Sequence, residues 1–191
     1  MVKLMKWQYL FVIVFIFAAC GDEEKTPETQ VSVKPFKISS TSFDSGAVIP
    51  DKFSCVSGSQ VFPNLSWNTA GKTFKSYVLI MDDPDAVPVA GYVWNHWLLY
   101  DIPATTTSIG EGTSPLNPLP SGTKRGQTSF GDTAYGGPCP PSGQLHHYII
   151  KVYGMDVSSI GLSSGMPVAT VRQAMKNHIL DSATYSGTFQ R

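Results

Sequence analysis

The sequence has no excess of basic residues, because its 14 lysines and arginines are balanced by 14 aspartates and glutamates. Without Lys3 and Lys6, which precede an N-terminal apolar stretch, 12 basic residues face 14 acidic ones and the net charge is −2. A nucleic-acid-binding surface requires a basic patch or stripe. The charge balance therefore argues against a nucleic-acid partner.

The N-terminal apolar stretch is too short to span a bilayer. Residues 7–19 fall well below the roughly 20 apolar residues that a membrane-spanning helix requires. Lys3 and Lys6 lie before the stretch, and the small residues Ala18 and Ala19 end it, which is the pattern of a secretory signal peptide. We therefore expect export rather than a transmembrane helix.

The end of this stretch, Phe17-Ala18-Ala19-Cys20, resembles the lipobox of bacterial lipoproteins, with Phe17 in place of the usual leucine. In such proteins the cysteine is acylated and becomes the first residue of the mature chain. Each buried acyl methylene contributes about 0.8 kcal/mol to membrane binding. We predict that residues 1–19 are a lipoprotein signal peptide and that Cys20 anchors the protein in the bacterial cell envelope, at the periplasmic face or the cell surface.

The mature chain divides by composition into a tether and one domain. Residues 20–34 begin with the lipidated cysteine and continue with polar residues that cannot form a core, which predicts a flexible tether. Residues 35–191 are numerous enough for one domain with a buried core. We therefore expect a single folded domain over residues 35–191.

Cysteine is scarce, with three residues in the whole chain. If Cys20 carries lipid, Cys55 and Cys139 remain, and in an oxidising exported compartment the two could form a disulfide. Two buried thiols that pack as small hydrophobic side chains are the alternative. The sequence leaves both open.

Short apolar segments predict strands, and helical spacing is rare. The strand segments are residues 77–81, 92–100 and 148–154, with shorter candidates at residues 36–38 and 66–67. Only residues 168–179 show helical spacing, with Val168, Val171, Met175 and Ile179 on one face and Pro167 suited to the first helical turn. The pattern predicts a mostly antiparallel β domain with one late helix.

The sequence contains no Gly-x-Ser-x-Gly nucleophile elbow, and Cys139 beside three prolines is the only reactive nucleophile candidate. A hydrolase with an acid and a histidine as general acid–base groups is therefore the less favoured interpretation. We predict a protein that is not an enzyme, without catalytic residues and without a cofactor.

Polar residues interrupt the apolar segments at three places. Pro84 forces Asp83 toward an extended backbone and ends the strand, so Asp83 and Asp85 are predicted at a strand tip. Two such carboxylates repel each other unless a donor or cation lies between them. An Asx-type turn, in which both accept hydrogen bonds from nearby backbone amides, is the structural alternative.

The alternation of side chains along a strand predicts on which face each histidine lies. Along residues 92–100 it places Tyr92, Trp94, His96 and Leu98 on one face and Val93, Asn95, Trp97 and Leu99 on the other. His96 is then flanked by aromatic side chains, as a core histidine or as a site residue.

In the third segment His146 and Tyr148 share a face while His147 points away. Adjacent histidines therefore cannot serve one pocket. Because a metal site needs several ligands that converge, no metal is predicted.

Residues 105–141 form a connection rich in glycine, proline, serine and threonine that is too long to be idle in a compact domain. Its last part, Gly136-Gly137-Pro138-Cys139-Pro140-Pro141, predicts a stiff turn with exposed backbone amides. Exposed amides at a tight turn bind anions. Together with the imidazoles, this turn favours a phosphate or carboxylate ligand.

These segments, in their order and spacing, resemble the signature segments of the phosphatidylethanolamine-binding protein family, in particular its bacterial Raf kinase inhibitor-like branch. The matching segments are Asp83-Pro84-Asp85-Ala86, Trp94-Asn95-His96-Trp97, Tyr135-Gly136-Gly137-Pro138-Cys139-Pro140-Pro141-Ser142-Gly143 and His146-His147-Tyr148. Similar matches are Lys52-Phe53-Ser54-Cys55, Pro63-Asn64-Leu65-Ser66-Trp67 and Asn177-His178-Ile179-Leu180. The chain departs from the family at Thr128-Ser129-Phe130-Gly131, where an asparagine commonly precedes the aromatic residue and glycine.

The resemblance implies a mainly β fold, a Greek-key antiparallel β-sandwich with a few short helices and a small pocket for phosphate-type headgroups. The implied ligand-binding residues are Asp83, Asp85, Trp94, His96, Pro140, Pro141, His146 and Tyr148.

Two functions follow as expectations. The first is a lipid-anchored binding protein for a small phosphate-bearing or other anionic ligand. The second is an inhibitor of a protease or kinase, as some relatives are, with residues 105–141 as the place of contact with an unknown protein target.

Overall fold

The computed structural model describes residues 34–58, 60–113 and 118–191, in which β-strands dominate. The strands are β1 (Ile38–Ser39), β2 (Val61–Phe62), β3 (Leu65–Trp67), β4 (Ser76–Asp83), β5 (Trp94–Pro103), β6 (Ser108–Ile109), β7 (Gly112–Thr113), β8 (Lys124–Arg125), β9 (Leu145–Met155) and β10 (Ile179–Gln190). The helices are α1 (Val87–Ala90) and α2 (Val168–Met175), with 3₁₀ turns at Asp51–Phe53, Cys55–Ser57 and Pro84–Ala86. The predicted signal peptide, Cys20 and nearly all of the tether lie outside the described residues.

The strands form antiparallel sheets. The largest has five strands in the order β10-β9-β4-β5-β8, and smaller sheets join β1-β3-β6 and β2-β7. Strands far apart in the chain pair with each other, as β4 does with β9, which is the connectivity expected of a Greek key. The predicted mainly β, antiparallel fold with a few short helices is confirmed.

The five-stranded sheet is covered on both faces. On one face Leu79 and Ile150 belong to the main core, which Leu65 of the three-stranded sheet shares. On the other face Val78 packs in a second core with Val171 of α2. Because each such buried side chain contributes about 2 kcal/mol, the two cores hold the sheet rigidly between layers. The strand tips of this sheet are therefore well placed to position a site.

The C-terminal part differs from the sequence prediction. The helix ends at Met175 rather than near Ile179, because Ile179 begins β10 and pairs with Met155. Strand β10 was not predicted, although its buried residues Ala183 and Tyr185 alternate with exposed ones. Small and polar residues dilute that alternation, so that no apolar segment marks the strand.

A β-bulge at His96 changes the predicted alternation of β5. Asn95 pairs with Asp82 and Trp97 pairs with Met81, so His96 is an extra residue without an opposite partner. Trp97 therefore belongs to the main core, on the side to which His96 also turns, while Leu98 faces α2. The prediction that His96 and Leu98 share a face is wrong, because alternation assumes an unbroken ladder.

In the described ranges no helix is both long and apolar enough to cross a bilayer.

Candidate functional site

A cavity of about 380 Å³ opens where β4 ends and where β5 and β9 begin. Its lining residues are Asp83, Ala86, Val89, Ala90, Trp94, His96, Phe130, Cys139, Pro140, Pro141, His146 and Arg191. The strands are antiparallel, so these ends meet at one edge of the sheet. Six of the predicted ligand-binding residues line this cavity, and Asp85 and Tyr148 do not.

Asp83 is the buried acid of the cavity. It lies at the end of β4 on the same face as Leu79 and Met81, and only 3% of its surface is exposed. Its Oδ1 accepts a hydrogen bond from the amide of Ala86, which caps the 3₁₀ turn, while Oδ2 accepts one from Nδ1 of His146 at 2.7 Å. Asp83 thus accepts a hydrogen bond from the adjacent turn, as in the Asx-type alternative, and also one from the imidazole of His146 on another strand.

His96 is held as a neutral imidazole. Its Nδ1 lies 2.7 Å from the carbonyl oxygen of Gly136, so that nitrogen must carry the proton. Burial lowers the pKa of His96, which outweighs the opposing effect of the nearby carboxylates. Nε2 is therefore left as an acceptor, 3.9 Å from Oδ2 of Asp83. Two hydrogen-bond acceptors, Nε2 of His96 and Oδ2 of Asp83, therefore face each other at the cavity wall. A donor placed between them would form a hydrogen bond with one of them and reduce their repulsion.

Asp85 lies outside the cavity. Its Oδ2 accepts hydrogen bonds from the amide of His147 at 2.8 Å and from Nδ1 of His147 at 2.7 Å. The hydrogen bond from the imidazole lowers the pKa of Asp85. Asp85 belongs to the 3₁₀ turn that begins at Pro84, and it does not line the cavity beside Asp83. His147 is largely exposed, as alternation predicted.

Tyr148 is fully buried beneath the cavity wall, with its ring centroid 5.1 Å from that of His96. Burial and the charge of Asp83 raise the pKa of its hydroxyl. The carboxylate of Asp83 and the amide of Cys139 influence this hydroxyl, yet within the described ranges it has no partner at hydrogen-bond geometry. Tyr148 thus packs against His96 beneath the cavity wall, with its hydroxyl in the field of Asp83.

The glycine–proline turn closes one side of the cavity but does not offer the amides that the sequence predicted. The amide of Gly136 donates to the carbonyl of His96 at 2.9 Å, and that of Gly137 to the side chain of Gln60 at 3.3 Å. The prediction of exposed glycine amides is therefore wrong for both residues, because β5 and the segment around Gln60 already use them. The prolines Pro140 and Pro141 have no N–H to donate.

The turn is fastened to the segment that contains Cys55. Cys55 and Cys139 form a disulfide with their Cα atoms 5.4 Å apart. A Cβ at Gly137 would lie 2.6 Å from the carbonyl oxygen of Phe53, so only glycine allows this approach. Cys139 is exposed and lines the cavity, which makes the disulfide part of the cavity wall.

Sequence reasoning missed several lining residues. Phe130 contacts both Trp94 and His96 edge-on, with centroids 5.3 and 5.4 Å apart. It lies in the motif that departs from the family, which was a signal that could have found it. Arg191 had no local signal, because only the pairing of β10 with β9 brings it to the cavity.

An apolar rim surrounds one side of the mouth. Val89 and Phe130 are exposed and line the cavity, and the exposed residues Val87, Tyr92 and Val93 lie within two residues of Val89 or Trp94 in the sequence. Tyr92 stacks on Trp94 with centroids 5.7 Å apart. No charged residue occurs between Asp85 and Trp97.

In the part of the chain that the structure describes, no three histidine, cysteine, aspartate or glutamate residues are arranged to hold a metal ion.

The fold and the cavity define a class, that of antiparallel β-sandwich proteins with a small cavity at one edge of the sheet. The family model for phosphatidylethanolamine-binding protein matches residues 39–190. The chain belongs to this family and is a binding protein by family, which confirms the resemblance that the motifs indicated.

Relatives and solved structures support this family assignment. The "UPF0098 protein" of Aquifex aeolicus is 40% identical over 156 residues, covering 81% of this chain and 88% of the relative. The crystal structure of Escherichia coli YbcL, described as a new member of the mammalian PEBP family, has a TM-score of 0.75 at 28% identity, covering 82% and 98% of the two chains. The PEBP homolog CT736 of Chlamydia trachomatis has a TM-score of 0.71 at 29% identity, covering 82% and 97%.

Proposed function

We propose that this chain is a lipid-anchored binding protein of the bacterial envelope that holds a small phosphate-type group in the cavity at Asp83, His96 and His146. The observation that carries the proposal is the convergence of these three ionisable side chains, from three strands, on one cavity. Their neighbours Asp82 and His147 pair elsewhere, with Arg172 and Asp85. These three side chains are thus polar groups that the fold leaves beside open space.

The cavity suits a small headgroup. Its volume of about 380 Å³ is at the lower end of the range for small-molecule sites, which are mostly apolar with a few placed polar groups. Pro140 and Phe130 supply apolar wall, and Trp94 adds an aromatic face. A phosphate with a short amine or alcohol substituent fits this size and polarity.

A phosphate oxygen that faces Asp83 and His96 must carry a proton or cause His96 to take one up. Asp83 and Nε2 of His96 are both acceptors, so a fully ionised phosphate would meet no donor from them. A phosphate hydroxyl could donate to Nε2, or His96 could become protonated and donate to the anion. We therefore expect binding to tighten as pH falls toward the lowered pKa of His96.

We also propose that the protein has no catalytic activity. The sulfur of Cys139, the one nucleophile candidate of the sequence, is bonded to Cys55. A disulfide sulfur is not a thiolate and cannot attack an ester. Screening with phosphate and acyl esters would overturn this proposal if turnover survives purification and is lost in His146→Ala.

The lipid anchor is part of the proposal and is supported indirectly. Disulfides persist in oxidising, exported compartments, and Cys55 and Cys139 form one. Cys20 itself lies outside the described residues. Mass spectrometry of the protein from its own membrane would report the modification of Cys20 and any small molecule that copurifies. An unmodified Cys20 would contradict the anchor.

Titration calorimetry of the full chain with O-phosphorylethanolamine tests the pocket. We expect wild type to bind, and His96→Ala and His146→Ala to bind at least tenfold more weakly, since each removes a side chain that lines the cavity. His147→Ala is the matched control, because it removes an imidazole that faces solvent. If His96→Ala and His146→Ala bind as well as wild type, the pocket assignment is wrong.

The apolar rim favours a second function, inhibition of a protease or kinase through protein contacts. Exposed large hydrophobic side chains that cluster at one place mark interaction surfaces. A pull-down from envelope extract with wild type and with a Val89→Asp, Tyr92→Ser variant tests it. A saturable partner that the variant fails to retain supports this function, and the absence of such a partner counts against it.

A further inference from the structure

The cavity wall has few charged side chains, and they differ in sign. Among the lining residues that the structure describes, Asp83 carries the negative charge and Arg191 the fixed positive one. Burial keeps His96 neutral by lowering its pKa, and His146 is committed to Asp83 at 2.7 Å. The attraction of this cavity for an anion therefore depends strongly on Arg191.

Arg191 is held at the cavity by its main chain. The amide of Gly143 donates to the main-chain oxygen of Arg191 at 2.7 Å, and the side chain of Gln190 donates to the carbonyl of Gly143 at 3.2 Å. Gly143 has a φ of +78°, a left-handed turn conformation that favours glycine. Because Gln190 also pairs with Leu145, the backbone next to Arg191 follows the start of β9.

The guanidinium of Arg191 has donors to spare. It carries five N–H donors in a planar fork, and Nη1 lies 3.4 Å from Sγ of Cys139, a weak acceptor. None of the ion pairs found between described residues includes Arg191. The other N–H groups are thus available for an anion, and a guanidinium fork matches two phosphate oxygens at once.

We infer that Arg191 determines specificity by making the pocket prefer phosphate monoesters to phosphate diesters, an inference that rests on the proposed phosphate-binding function. A monoester carries up to two negative charges near neutral pH, whereas a diester carries one. Attraction by Arg191 and repulsion by Asp83 both scale with ligand charge. With Arg191 the dianion is favoured, and without it Asp83 repels the dianion more strongly than the monoanion.

The experiment is titration calorimetry of the full chain at pH 7.5 with two ligands that share ethanolamine. O-Phosphorylethanolamine is a monoester, and glycerophosphorylethanolamine is the diester headgroup of an intact phospholipid. In Arg191→Gln we expect Kd to rise about tenfold for the monoester. For the diester, half the charge gives about a threefold rise.

Two further variants control for charge and geometry. Arg191→Lys keeps the charge but loses the fork, so its Kd for the monoester should lie between those of wild type and Arg191→Gln. Lys176→Gln removes the same charge at the exposed end of α2, on the opposite face of the sheet, and should leave both Kd values unchanged. Thermal melts should show that Arg191→Gln folds as wild type does.

The outcomes distinguish a wrong assignment of Arg191 from a wrong phosphate-binding function. If wild type binds the monoester and Arg191→Gln binds it equally well, or if both ligands weaken by the same factor, the assignment to Arg191 is wrong while the pocket stands. If wild type binds neither ligand, the proposed phosphate-binding function is wrong, and the inference about Arg191 falls with it.

Discussion

Two aspartate–histidine pairs lie side by side in this molecule. Asp83 with His146 and Asp85 with His147 both join Oδ2 to Nδ1 at 2.7 Å. The side chains of the first pair are 4% and 5% exposed, and those of the second are 41% and 57% exposed. The same contact therefore occurs once in a low-dielectric cavity wall and once in water.

The difference teaches that hydrogen-bond geometry does not identify a site. Water screens the exposed pair, and exposed ion pairs are worth about 1 kcal/mol or less. The buried pair has given up most of its hydration, so losing one partner leaves a largely buried polar group without its hydrogen bond. Burial beside open space, and not the contact itself, distinguishes the cavity pair.

The largest expected effect is the loss of the buried pair in Asp83→Ala. His146 would lose its acceptor and the amide of Ala86 its cap, so we expect the free energy of unfolding to fall by about 3–5 kcal/mol. Urea denaturation of wild type and variant measures this difference. An Asp83→Ala midpoint equal to that of Asp85→Ala would refute the distinction between the pairs.

The disulfide should affect the two pairs differently. The Cys55→Ser, Cys139→Ser double variant opens a link across a sequence separation of 84 residues. We expect a loss of about 3 kcal/mol, because the unfolded chain gains freedom. The turn at Cys139 borders the cavity, so NMR signals of the His146 ring should shift while those of the His147 ring stay. Equal shifts of both rings would mean that the disulfide does not shape the cavity.

The buried histidine next to the cavity pair predicts a dependence of stability on pH. Because the pKa of His96 is lowered in the folded state, the unfolded state binds more protons below its ordinary value of 6.5. Stability should therefore fall as pH decreases from 6.5 toward the folded pKa, by at most about 1.4 kcal/mol per pH unit.

Urea denaturation between pH 8 and pH 5 checks this dependence. All other residues are the same in both proteins, so the difference between wild type and His96→Gln isolates the contribution of His96. A variant that loses as much stability on acidification as wild type would rule out His96 as the cause.

The smallest expected effect is that of Asp85→Ala, at about 1 kcal/mol or less, because the pair with His147 is exposed. The pKa of Asp85 is lowered in the folded state, so its contribution is present above the ordinary value of 3.8 and is lost as pH falls below it. Wild type and variant should thus converge in strong acid. Urea midpoints at pH 7 and pH 3 measure this convergence, and a constant difference would contradict it.

Local pattern was sufficient for much of the site. Alternation separated His146 from His147, and the proline after Asp83 placed that residue at a strand tip, as the structure shows. The same rule failed at Leu98, because the bulge at His96 interrupts the ladder. Asp85 was assigned to the pocket by family likeness, and a 3₁₀ turn sends it to His147 instead.

The sequence by itself determined the family, the mainly β fold and the residues that carry ionisable groups to one edge of the sheet. The fold and the placement of these residues follow from periodicity and from motifs a few residues long. Periodicity determines which side chains share a face of a strand, and short motifs determine where the chain turns.

Only the tertiary structure decided which polar groups line the cavity and which are already paired. It occupied the amides of Gly136 and Gly137, bonded Cys55 to Cys139 and brought Arg191 to the cavity. Each of these contacts joins residues far apart in the chain. Their approach depends on packing and strand order, which no local pattern records.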